Sequence, residues 1–139
     1  MIPPKVLRLL DANLNRSREG LRVLEDTARF VWEDEKLFKT LRNQRHSLDR
    51  ITRSFYPQFV MSRDSAADSG RKMPEGGRKD AEAIVFANFR RCEESLRVLE
   101  EYGKVFPGGA AKIFKRIRFK VYDLEKKVLR DNLFSSKHG

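Results

Sequence analysis

The sequence predicts an all-α protein, a four-helix bundle built from two duplicated helical hairpins with a long central loop, and three observations lead there. The first is composition: 139 residues, 40% hydrophobic and 36% charged, with only 8 Gly and 5 Pro. That balance suits a single helical domain over 1–139 and argues against disorder or a turn-rich β fold. The second is an internal repeat, "DANLNRSREGLRVLEDTARFV" at 11–31 and "FANFRRCEESLRVLEEYGKVF" at 86–106. At an offset of 75 the two share Ala12/Ala87, Asn13/Asn88, Arg16/Arg91, Glu19/Glu94, Leu21/Leu96, Arg22/Arg97, Val23/Val98, Leu24/Leu99 and Glu25/Glu100. Chance matching at ordinary composition would give about one or two identities. The third is an echo at an offset of 76, with Lys36/Lys112, Phe38/Phe114, Lys39/Lys115, Arg42/Arg118 and Leu48/Leu124 identical. The repeating unit is therefore two helices and a short connection.

The elements come in this order. A helix over 4–31 opens at Pro3-Pro4, since proline fits a first helical turn, and carries one apolar stripe at about 100° per residue: Val6, Leu10, Leu14, Ser17, Leu21, Leu24, Ala28 and Val31. Ser17 and its counterpart Cys92 lie inside that stripe, which makes the lone cysteine a small packing residue. Trp32-Glu33-Asp34 turns the chain into a second helix over 34–54. Residues 55–79, "FYPQFVMSRDSAADSGRKMPEGGRK", hold two prolines and three glycines, have no counterpart in the repeat, and form the central loop. A third helix over 80–105, a turn at Pro107-Gly108-Gly109 and a fourth helix over 110–131 complete the second half, with Phe114, Ile117, Val121, Leu124 and Val128 on its core face. The halves 4–54 and 80–131 are expected to superpose about an approximate two-fold axis. Asn13 and Asn88 should then approach one region, with the unduplicated loop beside it.

Thirty Lys and Arg against 20 Asp and Glu leave a formal charge of +10, which favours an anionic partner. The apolar runs are too short for a membrane span and the first residues lack the pattern of a signal peptide, so no membrane partner and a cytoplasmic setting are expected. One cysteine cannot make an internal disulfide, and no Cys/His cluster has zinc spacing. Templates for nucleophilic, zinc and Walker-type chemistry fail as well: "GGRK" (76–79) lacks the preceding strand and the following Ser or Thr. His46 matches Tyr122 in the repeat and His138 lies in the tail, so histidine acid–base chemistry is not expected.

What remains is arginine, a few carboxylates, and a loop carrying Arg63, Asp64, Asp68 and Gly70. Arginine forks hold phosphate oxygens, and phosphoryl transfer needs little beyond positioning and charge stabilisation. On the helical wheel Asn13 borders the core, Arg16 and Glu19 lie along one flank, Glu25 lies on the other and Arg22 points away. The competing reading is surface ion pairing on the helices and Asp-capped turns in the loop.

"LDANLNRSREGLRVLEDTARFV", "SRDSAADSG" and "ANFRRCEESLRVLEEYGK", in that order, resemble the small helical domain that precedes the barrel in fused thiamine-phosphate synthases, a family regarded as monofunctional hydroxymethylpyrimidine phosphate kinases. The resemblance covers roughly residues 6–126. It implies ATP- and Mg²⁺-dependent phosphorylation of hydroxymethylpyrimidine phosphate to its diphosphate in thiamine biosynthesis. It further implies that Arg63, Asp64 and Asp68 are catalytic, and that Asn13, Arg16, Glu19, Arg22, Gly70, Asn88, Arg91, Glu94 and Arg97 bind substrate and phosphate. It names no metal ligands, although Asp64, Asp68, Glu19 and Glu94 are candidates for the metal or the pyrimidine. Ser65 stands where the family pattern expects threonine, and the chain ends at 139 without a barrel, so synthase activity is not carried over.

Two other readings stand beside it. A basic nucleic-acid-binding helical module fits the charge, but the basic last helix interleaves its lysines with core residues. A non-catalytic helical partner of a thiamine-phosphate synthase fits the resemblance alone. Val23, Phe30 and Trp32 lie off the main core stripe and leave a homodimer open. Replacing Arg63 or Asp64 by Ala is expected to cost little stability, because both lie in the loop.

Overall fold

A computed structural model describes residues 2–138 apart from 65, 74 and 75, with side chains described as far as 131. Five α-helices run in order: α1 (Pro4–Asp26), α2 (Glu35–Thr52), α3 (Tyr56–Ser62), α4 (Ala81–Tyr102) and α5 (Ala110–His138). No strand occurs among the described residues. Four of the helices are the two expected hairpins. α1 packs on α4 at the centre, α2 lies against α1, α5 lies against α4, and the outer pair also touch.

The hydrophobic pattern dictates this arrangement. Leu10, Leu14, Leu21 and Leu24 of α1, and Ala28 just beyond it, share one buried core with Val85, Phe89, Cys92, Leu96 and Leu99 of α4, and the five expected core residues of α5 are all buried. Side-chain caps stop the backbone donors at two helix starts from going unpaired: Asp34 accepts from Leu37 N at 3.0 Å, and Asp80 from Ala83 N at 2.8 Å.

At the centre the two copies of the repeat meet through equivalent positions. Ser17 Oγ and Ser95 Oγ lie 2.6 Å apart, and Ser95 also donates to the Arg91 carbonyl at 2.6 Å. The equivalent contact joins Gly20 to Cys92, because Gly20 is the counterpart of Ser95 and Cys92 the counterpart of Ser17. A Cβ on Gly20 would stand 2.7 Å from Cys92 Sγ, so the close approach of the helices needs glycine there. Cys92 is fully buried, its thiol 3.6 Å from the Ser17 carbonyl, and burial pushes its pKa up to about 12. It packs, as the stripe implied, and is not nucleophilic.

Three features depart from the sequence reading. The first helix ends in a π-turn over Thr27–Val31. That wider turn changes the helical phase, so Val31, placed on the core stripe by a constant 100°, is exposed. The connection then closes through Glu33 at φ 51 and an Asp34 N to Ala28 O bond of 2.8 Å. The central segment is also shorter than the expected 55–79 loop. Its opening residues form a 3₁₀ turn (Arg53–Phe55) and α3, started by Pro57 and anchored by buried Phe59 among Phe55 and Phe106, with ring centroids 6.3 and 6.1 Å from Phe59. Finally, α5 runs past 131 to His138, since no Gly or Pro interrupts it.

Candidate functional site

Small residues at the α1–α4 crossing let the polar flanks of both helices meet in one groove of about 800 Å³. Ala83, Phe86, Ala87 and Val98 give it an apolar side, while Asn13, Arg16, Arg78, Arg90, Arg91 and Glu94 supply the polar lining, with Ser95 at the crossing. Four arginines thus face one glutamate. Asn13 is buried and donates Nδ2 to the Leu9 carbonyl at 2.9 Å, which turns its Oδ1 towards Arg16 Nη1 at 3.3 Å. Among the described residues Arg91 is paired only with Glu19, at 3.7 Å. The donors of both arginines are therefore largely uncommitted, as a site for a polyanion requires.

The groove collects four of the residues singled out from sequence, Asn13, Arg16, Arg91 and Glu94, and Glu19 joins them through Arg91. Asn88 lies elsewhere. Its Nδ2 donates to the Ile84 carbonyl at 2.8 Å, and its own carbonyl faces Gly20, 3.3 Å from a Cβ built there. Asn13 lines the groove and Asn88 does not, so the two asparagines do not converge on one point. Arg22 pairs with Asp26 at 3.6 Å, and Arg97 with Glu100 and Glu101 at 3.3 and 2.8 Å, both away from the groove. Glu25, placed on a helix flank from sequence, has 0% exposure and receives Arg45 Nε and Nη2 at 2.6 and 3.0 Å. Its counterpart Glu100 receives Arg118 at 2.8 Å. These duplicated buried pairs tie each hairpin together, and the hydrogen bonds raise the Arg45 and Arg118 pKa values above the usual guanidinium range.

The loop residues divide by role. Asp64 Oδ1 accepts from Ala67 N at 3.2 Å and Asp68 Oδ1 from Gly70 N at 2.9 Å, so both shape local turns. Arg78 Nη1 donates to the Gly76 and Gly77 carbonyls at 3.0 and 3.1 Å, at the groove. Arg63 forms a bidentate fork with Asp11, Nε to Oδ2 at 2.7 Å and Nη2 to Oδ1 at 2.9 Å, which raises its pKa. Asp11 is 5% exposed, so the expectation that Arg63→Ala costs little stability does not hold. That substitution strands a buried carboxylate and is expected to lower unfolding free energy by about 2 kcal/mol in urea titration. Asp64→Ala, which loses one exposed turn bond, should stay within about 0.5 kcal/mol.

Asp11, Phe86, Arg78 and Arg90 were missed from sequence. Asp11 is the traceable one: an acid at the position where the repeat places Phe86 is not required by packing.

A second cleft, of about 720 Å³, opens between the end of α1 and α2. Its cations are mostly neutralised: Arg22 by Asp26, Lys39 by Glu35 at 2.8 Å, and Arg45 by Glu25. Arg29 lies over the Phe30 and Phe38 rings at 4.7 and 5.4 Å. The α1–α4 groove is the stronger anion site on charge alone.

Fold and groove together define an all-α duplicated bundle with an arginine-lined groove at the crossing of its repeated helices. The sequence matches the ThiD2 family over residues 8–127, and the chain belongs to that family. It is similar to the thiamine-phosphate synthase of Synechococcus sp. (strain CC9605), 39% identical over 135 residues covering 95% of this chain and 38% of that protein. The thiamine-phosphate synthase of Rhodopirellula baltica is 39% identical over 140 residues, covering 95% of this chain and 37% of that protein. That of Nostoc punctiforme is 38% identical over 127 residues, covering 89% and 35%. The chain therefore spans less than two fifths of the length of these relatives. No solved structure matches it. Among the described residues no helix is long and apolar enough to cross a membrane.

Proposed function

We propose that the chain takes part in thiamine biosynthesis as a phosphotransferase, moving the γ-phosphoryl group of ATP onto hydroxymethylpyrimidine phosphate to give the diphosphate. The observation that carries this reading is the groove: Arg16, Arg78, Arg90 and Arg91 opposite one carboxylate, beside an apolar wall with Phe86, in a member of the ThiD2 family. Two polyanions must be brought together, and uncommitted guanidinium groups are the means of doing so. Phe86 and Ala87, adjacent on α4, offer apolar surface for a pyrimidine ring, while the arginines take its phosphate.

A non-bridging oxygen of the acceptor phosphate attacks the γ-phosphorus. The bond from that phosphorus to the β–γ bridging oxygen breaks, and ADP leaves with the electron pair. A phosphate monoester is mostly dianionic at neutral pH, so the nucleophile carries no proton that must be removed. A groove lined by arginine and glutamate without histidine is consistent with this. Arg16 and Arg91, at the centre, compensate the charge of the transferring group, and Asn13 aims Arg16.

Among the described residues no cluster of three or more His, Cys, Asp or Glu side chains forms a cage for a free cation. One or two carboxylates suffice for Mg²⁺ that arrives on a triphosphate, and Glu94 and Glu19 fit that need. The ion so bound would neutralise the β- and γ-phosphate oxygens.

The purified chain, given ATP, Mg²⁺ and either the pyrimidine phosphate or the free alcohol, is expected to release ADP with the phosphate and almost none with the alcohol, which lacks both anchor and nucleophile. Comparable turnover of the alcohol would sink the acceptor assignment. Turnover of neither would favour a non-catalytic helical partner of a thiamine-phosphate synthase, a reading supported by the longer relatives that contain the matching segment.

A further inference from the structure

The two halves of the repeat differ at the cleft between the end of α1 and α2. In the second half Gly103 takes the place of Ala28, and Phe114 that of Phe38. A Cβ on Gly103 would stand 2.9 Å from the Phe114 ring, so glycine lets that ring bury completely, at 0% exposure. Ala28 carries the Cβ, and Phe38 stays only partly buried and lines the cleft. Where the second half packs a ring, the first half keeps a cleft of about 720 Å³.

The cations divide in the same way. In the second half Lys104 pairs with Glu101 at 3.2 Å, and Arg118 pairs with Glu100 at 2.8 Å and lies 4.8 and 5.6 Å from the Phe119 and Tyr122 ring centroids. Their counterparts are Arg29 and Arg42. In the first half Arg45, which stands where the second has Val121, takes the buried Glu25 and so releases Arg42 from that duty. The ion pairs of the cleft are Arg22 with Asp26, Lys39 with Glu35 and Arg45 with Glu25; among the described residues neither Arg29 nor Arg42 is in one. Arg29 is carried by the π-turn, over the Phe30 and Phe38 rings. Stacking uses the face of a guanidinium and leaves its in-plane N–H donors for an acceptor.

We propose that this cleft is a second anion site, which takes a dianionic phosphate group on Arg29 and Arg42, carried by a phosphomonoester or as the free ion. Two uncommitted guanidinium groups match two negative charges. His46, in the place of Tyr122, adds a ring nitrogen at the same cleft. Glu33 lines it too, with no ion pair among the described residues, and opposes the larger charge of a di- or triphosphate. The α1–α4 groove, with four arginines to one glutamate, has the opposite bias. Cleft and groove share no lining residue, so the second site stands apart from the phosphoryl-transfer reading.

Inorganic phosphate and ribose 5-phosphate, titrated separately into the isotopically labelled full chain at neutral pH, are the probes, and nuclear magnetic resonance is the readout. Both are expected to move the Nε–H resonances of Arg29 and Arg42 and the backbone amides of residues 27–35. Arg42→Ala should weaken this binding by about tenfold and leave any shifts of Arg16 and Arg91 as in the parent. Arg42 is exposed and in no ion pair among the described residues, so the variant should keep the parent spectrum elsewhere. Arg29→Ala should weaken binding alike, and Arg50→Ala, which removes an equal charge from α2, should not. Parent-like binding in Arg42→Ala, an equal loss in Arg50→Ala, or shifts confined to the groove would overturn the proposal. Tighter binding of ribose 5-phosphate makes the occupant a phosphorylated metabolite and equal binding makes it free phosphate; both support a site for the dianion. A chain that binds phosphate here yet transfers no phosphoryl group refutes the reaction and leaves the second site in place.

Discussion

Replacing Arg91 with Ala is expected to depress phosphoryl transfer by about 100-fold or more while leaving unfolding free energy within about 0.5 kcal/mol. The two halves of that statement come from the same geometry. Arg91 sits at the centre of the groove, where its charge bears on whatever phosphate occupies the crossing. Its one ion pair among the described residues is to exposed Glu19 at 3.7 Å, too long for a good hydrogen bond, so little native stability depends on it. Arg16→Ala should behave alike, with a small additional loss because Asn13 gives up a partner. Arg50→Ala is the control, since it removes an equal charge from α2, where the guanidinium meets the Ser47 hydroxyl at 3.0 Å. Steady-state kinetics and urea titrations on the three variants decide the matter. Equal activity loss in Arg50→Ala would reduce the effect to overall charge, and full activity in Arg91→Ala would remove the groove from the reaction.

Which arginines matter could be narrowed from sequence but not settled there, and the reason is geometric. Periodicity and the repeat were enough for the four long helices, because burying a stripe such as Leu10, Leu14, Leu21 and Leu24 admits one helical orientation. The same periodicity fails at Thr27–Val31, where a wider turn resets the phase. It also fails at α3, a short helix with no copy, whose Pro57 suggests a loop out of context but starts a helix once Phe59 has Phe55 and Phe106 to pack against. Among polar residues, identity between the halves marks both those that line the groove and those that only hold a hairpin together. Glu25 and Glu100 are repeated because each is a buried carboxylate that receives an arginine, and Arg22 and Arg97 form surface pairs. Asp11 shows the opposite case, in which a departure from the repeat marks the residue that binds the loop.

A second departure from the repeat underlies the other large effect. Arg18 and Asp49 form a 2.6 Å ion pair between α1 and α2, and their counterparts between α4 and α5 are Glu93 and Glu125. A carboxyl has replaced the cation. Glu93 is 7% exposed and its Oε2 has no hydrogen-bond partner among the described residues. Burial first, and then the hydrogen bond and charge of Glu125, push the Glu93 pKa up to about 8; nearby Glu94 adds to this and Arg90 opposes it. An unfolded chain releases that proton near 4.5, the ordinary glutamate value. Between those two pH values the folded chain holds a proton that the unfolded chain has lost, so this group makes stability fall as pH rises through the window and adds no slope outside it. Glu93→Gln keeps the shape and cannot ionise. It is expected to match the parent near pH 5 and to exceed it by about 2–3 kcal/mol at pH 9, where the parent must bury a carboxylate beside a second acid. Urea unfolding of both proteins at pH 5, 7 and 9 measures the difference directly. A gap between them that is the same at all three pH values would mean that Glu93 titrates alike in the folded and unfolded chain, and the reading of a Glu93 carboxyl held protonated by burial beside Glu125 would have to be abandoned.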